Sequence, residues 1–192
     1  MDANQLGSNS TMAHCTADTD ESTDCGVDST GKYYVYSWDK SLIRTYLNGE
    51  FLTNLESKIN NEIVSTPICS DPSKNTTGGL DQSYGGYLMS ELNEIGKNCD
   101  TDSVNDKVRL ISEIEYNKIY NKIQDNMLDS SWLYCNSIAC GNSKEIWSTM
   151  CSFYFDDAIG VQHTRYVYSN GILSNSYSND VNGVRPVITI VK

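Results

Sequence analysis

Basic residues, histidines and closely paired cysteines are what this chain is short of. Its 192 residues hold 14 Lys and Arg against 25 Asp and Glu, a formal net charge of −11. Phosphate binding depends on Lys and Arg displacing counterions, so nucleic acid is excluded as a partner. Anionic membrane surfaces are excluded on the same ground. Only two His are present, His14 and His163, and no two of the seven Cys stand in a CxxC pair. A zinc site therefore lacks its usual ligand set. No apolar run approaches the ~18 residues of a membrane span, and no signal peptide is visible. If the chain works outside the cell, its leader or anchor is expected to have been removed. No nucleophile, base and orienting group can be named together, so neither catalysis nor a cofactor is expected.

What is there is a mildly polar globular mix, 39% apolar and 20% charged. The length suits one domain with a tail and is enough to bury a core without staples. Tyr (13) far outnumbers Phe (3). Tyr joins an apolar ring to a polar tip and suits half-exposed sheets and contact surfaces. The cysteines are Cys15, Cys25, Cys69, Cys99, Cys135, Cys140 and Cys151. Scattered through a chain rich in Tyr, Ser, Asn and Thr, they read as disulfide candidates of a protein outside the cytosol. The odd count leaves at least one thiol free or paired between chains. Cys15 and Cys25 would close a small loop. Cys135 and Cys140 would bridge each other, or either would reach Cys99 or Cys151, since spacing does not fix connectivity.

Residues 1–30 stand apart as an irregular arm, with six acids (Asp2, Asp18, Asp20, Glu21, Asp24, Asp28) and no Lys or Arg. An EF-hand reading of this arm fails, because its sixth position needs Gly and holds Thr23, and its twelfth needs Glu and holds Ser29. Residues 31–192 form the expected single α+β domain. Lys32–Trp38 reads as a strand. A helix follows, with Leu42, Ile43, Tyr46 and Leu47 on one face, capped by Ser37 or Asp39 and broken at Asn48-Gly49. Phe51, Leu52 and Leu55 re-enter the core as a short helical turn. Arg44, among apolar neighbours, is expected to anchor a buried carboxylate rather than snorkel to solvent. Ile63–Ser70 is extended, with Pro67 at a sheet edge. Residues 71–86 are loop. Asn9 and Asn75 open glycosylation sequons, and a short helix over Tyr87–Ile95 ends at Gly96. Lys107–Ser112 is a strand, and Ser112 with Glu115 predicts a capping box opening a helix toward Met127. That helix sets Ile114, Ile119, Ile123 and Met127 inward, and Glu113, Glu115, Lys118 and Lys122 outward. Trp132-Leu133-Tyr134 is expected to be packed.

The sheet half runs from Trp132 to Val191. Residues 145–153 alternate as a strand with two distinct faces. Asn170-Gly171 predicts a two-residue hairpin turn and Asn182-Gly183 a second turn. Pro186 sets the last strand at an edge or a bulge. Phe153, Tyr154, Asp156 and Asp157, with Tyr177, put aromatics beside carboxylates around loops of this half, a composition suited to glycan or peptide contact. Asp100, Asp102 and Asp106, or the Asp156-Asp157 pair, are the alternative calcium ligands.

The ordered pieces WDKSLIRTYLNGEFL, KVRLISEIEYNKI, WLY, IWSTM, VYSNGIL and NGVRPVITI resemble a family of bacterial surface domains. These occur in pilin-like proteins behind a cleaved prepilin leader and as stand-alone secreted modules. The resemblance covers residues 33–191. Its C-terminal cassette resembles the C-type-lectin-like fold shared with formylglycine-generating-type domains. It implies helices packed beside a twisted antiparallel sheet, with Arg185 at a structural corner. It does not imply calcium-dependent sugar binding, because the Glu-Pro-Asn, Gln-Pro-Asp and Trp-Asn-Asp triplets of such lectins are missing. The expected function is non-enzymatic surface display or adhesion, binding a glycan or surface protein, with self-association in a filament as a further partner. The alternatives are a calcium-stabilised structural domain and an enzyme of formylglycine-generating type, with Cys135 and Cys140 or Cys151 as its cysteine pair.

Overall fold

The computed structural model describes residues 11–12, 38–59, 62–70, 86–94, 96, 98–99, 103–124, 147–156, 161–168, 171–177 and 182–191. The fold is α+β, with short helices beside three small, mainly antiparallel sheets. The expected strand before Trp38, the Trp132–Tyr134 segment and both sequons' Asn lie outside the described residues, and Trp38 itself opens a 3-10 turn, Trp38–Lys40.

One helical run carries the main core. It comprises α1 (Leu42–Tyr46), a π-helical turn (Leu47–Phe51) and α2 (Leu52–Glu56). Its cap is Ser41, not Ser37 or Asp39: Ser41 is extended (φ −62°, ψ 132°), and its Oγ accepts from the Arg44 N–H at 3.4 Å. Asn48-Gly49 does not break the helix but lies inside the π turn. Ile43, Leu47, Phe51 and Leu55 are all buried, a strict four-residue spacing. At 3.6 residues per turn such a stripe drifts about 40° around the axis per step. The wider π turn unwinds the helix at the middle of the stripe and keeps it on the core. Asn48 adds a second reason. Its Oδ1 accepts from the backbone N–H of Lys107 and of Val108, both at 3.1 Å, and its Nδ2 donates to the Val108 carbonyl at 2.7 Å. A side chain joined to another strand in this way is not available to terminate its own helix.

Two sheets share a fork. Strands β2 (Ile63–Val64) and β3 (Thr66–Cys69) follow each other, as do β5 (Ser103–Asp106) and β6 (Val108–Arg109), with β4 (Tyr87–Leu88) and α3 (Met89–Glu94) between. Strands β3 and β5 pair antiparallel from Cys69–Ser103 to Thr66–Asp106. Beyond that point the chains part, and the C-terminal strand β11 (Val187–Ile190) lies between β2 and β6, antiparallel to both. Pro67 and Pro186 therefore sit differently from expectation. Pro67 belongs to the central strand of its sheet, yet β4 pairs only with Ile68 and Cys69, so Pro67 has a ladder partner on one side alone. Pro186 precedes β11 and leaves this central strand's ladder intact. Cys69 and Cys99 form a disulfide beside the same β3–β5 pair.

The remaining strands make a five-stranded sheet in the order β1-β10-β7-β8-β9. They are β1 (Thr11–Met12), β7 (Trp147–Asp156), β8 (Val161–Val167), β9 (Leu173–Tyr177) and β10 (Asn182–Gly183). The acidic arm is thus not wholly irregular, since Thr11 and Met12 pair with Gly183 and Asn182. Asn182-Gly183 is not a turn but a strand, parallel to β7 through Gly183 and Trp147. The expected β8–β9 hairpin does form, with its last bonded pair at Tyr168 and Ile172. Tyr168 N–H bonds to the Ile172 carbonyl, and Gly171 N–H bonds back to Tyr168. Gly171, at φ 78°, takes the left-handed position that a three-residue hairpin loop demands.

The helix α4 (Glu113–Gln124) packs on β7 and joins this sheet to the fork. Its capping box forms as expected: Glu115 N–H donates to Ser112 Oγ at 3.0 Å, and Ser112 N–H donates to Glu115 Oε2 at 3.1 Å. Its fully buried residue is Tyr116, which packs with Ile111 and Val167 and donates its hydroxyl to the Gly171 carbonyl. Ile119 is half-buried against that cluster, and Ile114 packs on the separate cluster of Cys69, Tyr87 and Leu92.

Candidate functional site

Strand β7 departs furthest from a regular ladder. Nine residue steps from Trp147 to Asp156 oppose only six from Val167 to Val161 on β8, with register shifts between Ser148 and Ser152 and between Ser152 and Phe155. Extra residues of this kind bend a strand, increase its twist and re-aim side chains, and they recur beside functional sites. Of the residues singled out for binding, Phe153, Tyr154 and Asp156 lie in the irregular half of β7. Tyr177 lies in β9, opposite His163 of β8. The register brings these four to one end of the sheet, with β8 between them. Asp157 lies outside the described residues.

The two faces of this sheet differ. Toward α4, Val167 packs on Tyr116, and Arg165 Nε donates to Glu113 Oε2 at 3.2 Å. On the other face, Ser148 pairs with Tyr166, and Thr164 follows two residues along β8. Asn182 lies one step from the Gly183–Trp147 pair, on the same side as Ser148. All four are buried. Among the described residues, Ser148 Oγ, Thr164 Oγ1 and Asn182 Nδ2 have no hydrogen-bond partner. The face is thus a row of neutral donors across three neighbouring strands. Tyr166 stacks edge-on against Tyr168, with centroids 4.9 Å apart, and Tyr168 and Ile172 are exposed at the hairpin end.

A second polar cluster, not anticipated from the sequence, joins α3 to α4. Glu113 and Glu115 do not form the expected solvated face. Glu115 takes a two-pronged ion pair from Arg109 of β6 (2.5 and 2.7 Å), and Glu113 is held by Arg165. Lys118 pairs with Glu94 of α3, which raises its pKa, rather than with an i,i+4 neighbour. Beneath them lies Glu91, 2% exposed. Its Oε2 accepts from Leu88 N–H at 2.8 Å, and its Oε1 meets Ser112 Oγ at 2.5 Å. Burial, ahead of every other influence, pushes its carboxyl above the usual range. Tyr87 Oη reaches Glu113 at 3.4 Å. The signal for Glu91 is visible afterwards: it is the third residue of α3, where a glutamate reaches back to the preceding N–H.

Arg44 does anchor a buried carboxylate. Its guanidinium meets both oxygens of Asp106 at 2.8–3.1 Å, and Trp38 Nε1 donates to Asp106 Oδ2 at 2.7 Å. Asp106 is therefore unavailable as a calcium ligand, which removes it from the set proposed with Asp100 and Asp102. Those two residues lie outside the described residues. Among the described residues no group of three His, Cys, Asp or Glu is placed to hold a metal ion, and no helix is long and apolar enough to cross a membrane. Cys15, Cys25, Cys135 and Cys140 lie outside the described residues, and Cys151 lies in β7.

Residues 19–192 match the family described as a domain of unknown function, DUF6273. The chain belongs to this family. No curated protein and no solved structure matches it. The DUF6273 match takes in every described element except β1, so both the fork and the bulged sheet lie inside it.

Proposed function

We propose that this chain is a non-enzymatic display or adhesion module of the cell surface or extracellular space. It has a C-type-lectin-like domain and serves as a pilin-like subunit or ectodomain. It binds a glycan or surface protein through the loops of its sheet half. The observation that carries this reading is the register of β7, β8 and β9. It gathers Phe153, Tyr154, Asp156 and Tyr177 at one end of a sheet whose β7 strand carries three surplus residues. Aromatics beside carboxylates on an irregular strand end suit contact with hydroxyl-rich or peptide surfaces. The Cys69–Cys99 bridge favours an oxidising compartment.

The test is a glycan array and a surface-protein array probed with the intact chain. Hits are then repeated with Tyr154→Ala, Asp156→Asn and Tyr177→Ala. The expected result is binding that falls at least tenfold in these variants while their melting temperatures stay near that of the parent. Binding that survives all three substitutions would move the site off this end of the sheet.

A further inference from the structure

Glu91 and Ser112 interlock two helix starts. Glu91 closes the first turn of α3 by accepting from Leu88 N–H. Ser112 caps α4 by accepting from Glu115 N–H, and its Oγ meets the second oxygen of Glu91 at 2.5 Å. One short contact between a carboxyl and a hydroxyl thus ties α3 to the start of α4. Among the described residues no cation touches Glu91. Arg109, on β6, donates through both terminal nitrogens to Glu115. On α4, Glu113 is taken by Arg165 of β8, and Lys118 bonds to Glu94 at the exposed end of α3. From β4, the Tyr87 hydroxyl is directed at Glu113. The negative charge of Glu115 further opposes ionisation of Glu91, and Arg109 only partly offsets it.

We propose that Glu91 is a pH-sensitive latch between α3 and α4, closed when its carboxyl is neutral and loosened when it ionises. In the neutral form the carboxylic proton on Oε1 is donated to Ser112 Oγ, while Oε2 keeps the Leu88 N–H. Loss of that proton leaves a charge at a site 2% exposed, with one backbone N–H and one hydroxyl as its direct donors among the described residues. Burial favours the neutral acid and outweighs the hydrogen bonds from Ser112 and Leu88, which favour the charged form, so the carboxyl is raised on balance. A raised folded pKa means that the stability held by the neutral form is fully present below the unfolded glutamate value of about 4.3 and is lost as pH rises through the folded value. Leu92, one residue on, packs with Cys69 and Tyr87, so loosening α3 would reach the disulfide-bearing cluster.

The experiment follows the Glu side-chain carboxyl carbons and the Leu88 and Glu115 amides of the intact, disulfide-bonded chain by NMR from acid to neutral pH. Melting temperatures are measured across the same range for the parent, Glu91→Gln and Glu94→Gln. The expected result is a Glu91 carboxyl that titrates above all other glutamates, with both amides moving at its midpoint. The parent's melting temperature should fall through that midpoint, as should that of Glu94→Gln, while Glu91→Gln shows no such fall. A Glu91 carboxyl titrating at the ordinary glutamate value would overturn the latch. So would a Glu91→Gln variant that keeps the parent's pH dependence. Should Glu91→Gln not fold, the titration of the parent decides alone.

Discussion

Asp106 shows how a single side chain acquires its role from partners far along the chain. It is 2% exposed and carries Trp38 Nε1 and the Arg44 guanidinium, 68 and 62 residues away. Removing one member of a buried ion pair leaves the other charge uncompensated, which costs far more than an exposed pair is worth. Arg44→Ala is therefore expected to lower stability by on the order of 3 kcal/mol, measured by urea unfolding. Arg44→Lys keeps the charge but loses the fork, and should fall between parent and Ala. A loss under about 0.5 kcal/mol for Arg44→Ala would show that solvent reaches Asp106. The Lys107–Glu56 pair serves as the contrast, since both partners are more than 40% exposed. Lys107→Ala should change stability by no more than about 1 kcal/mol. That Arg44 would find a carboxylate was legible from its apolar neighbours. Which carboxylate was not, because nothing local to residue 44 points to residue 106.

Among elements, the π turn carries the clearest lesson. Asn48-Gly49 has the composition of a helix stop, and in isolation Gly lowers helix propensity. Here the helix continues because Asn48 replaces a backbone partner for Lys107 and Val108, and because Phe51 and Leu55 bury against the same core. Asn48→Ala would leave two N–H groups and one carbonyl of that bend without their partner. It is expected to cost about 2 kcal/mol, and hydrogen exchange at the Lys107 and Val108 amides should speed up while the amides of α4 keep their protection. Unchanged exchange at those two amides would mean that the clamp is dispensable. The capping box of α4 was readable for the opposite reason: Ser112 and Glu115 lie three residues apart and need only each other. The outward face assigned to Glu113 and Glu115 failed because helix periodicity gives a side, not what packs against that side.

For the whole molecule, the fork sets what can be removed. Strand β11 has neighbours on both sides, and its Val187 and Ile188 pack against two different core clusters. Truncation before Val187 should abolish the cooperative thermal transition. Strand β1, by contrast, is two residues at the edge of its sheet, so deletion of residues 1–18 should keep the transition and lower its midpoint by only a few degrees. A chain that tolerates loss of β11 would contradict the fork. The Cys69–Cys99 bridge closes a span of 30 residues, for which loop-closure entropy gives about 3–4 kcal/mol. The double change Cys69→Ala, Cys99→Ala should lose stability of that order in calorimetry in oxidising buffer, and the difference from the parent should shrink once the parent's bridge is reduced.

The sequence by itself determined what depends on near neighbours or on composition. It set the α+β character, the acidic balance, the start of α4, the β8–β9 hairpin and the carboxylate-anchoring role of Arg44. These follow from capping chemistry, turn conformation and the cost of leaving a charge unpaired, all of which act over a few residues. Only the tertiary structure decided that Cys69 pairs with Cys99, that β11 fills a fork rather than an edge, that Asn182-Gly183 is a strand and that Glu91 meets Ser112. Each of these joins residues distant in the chain, and such contacts are selected by how the whole core closes rather than by any local preference.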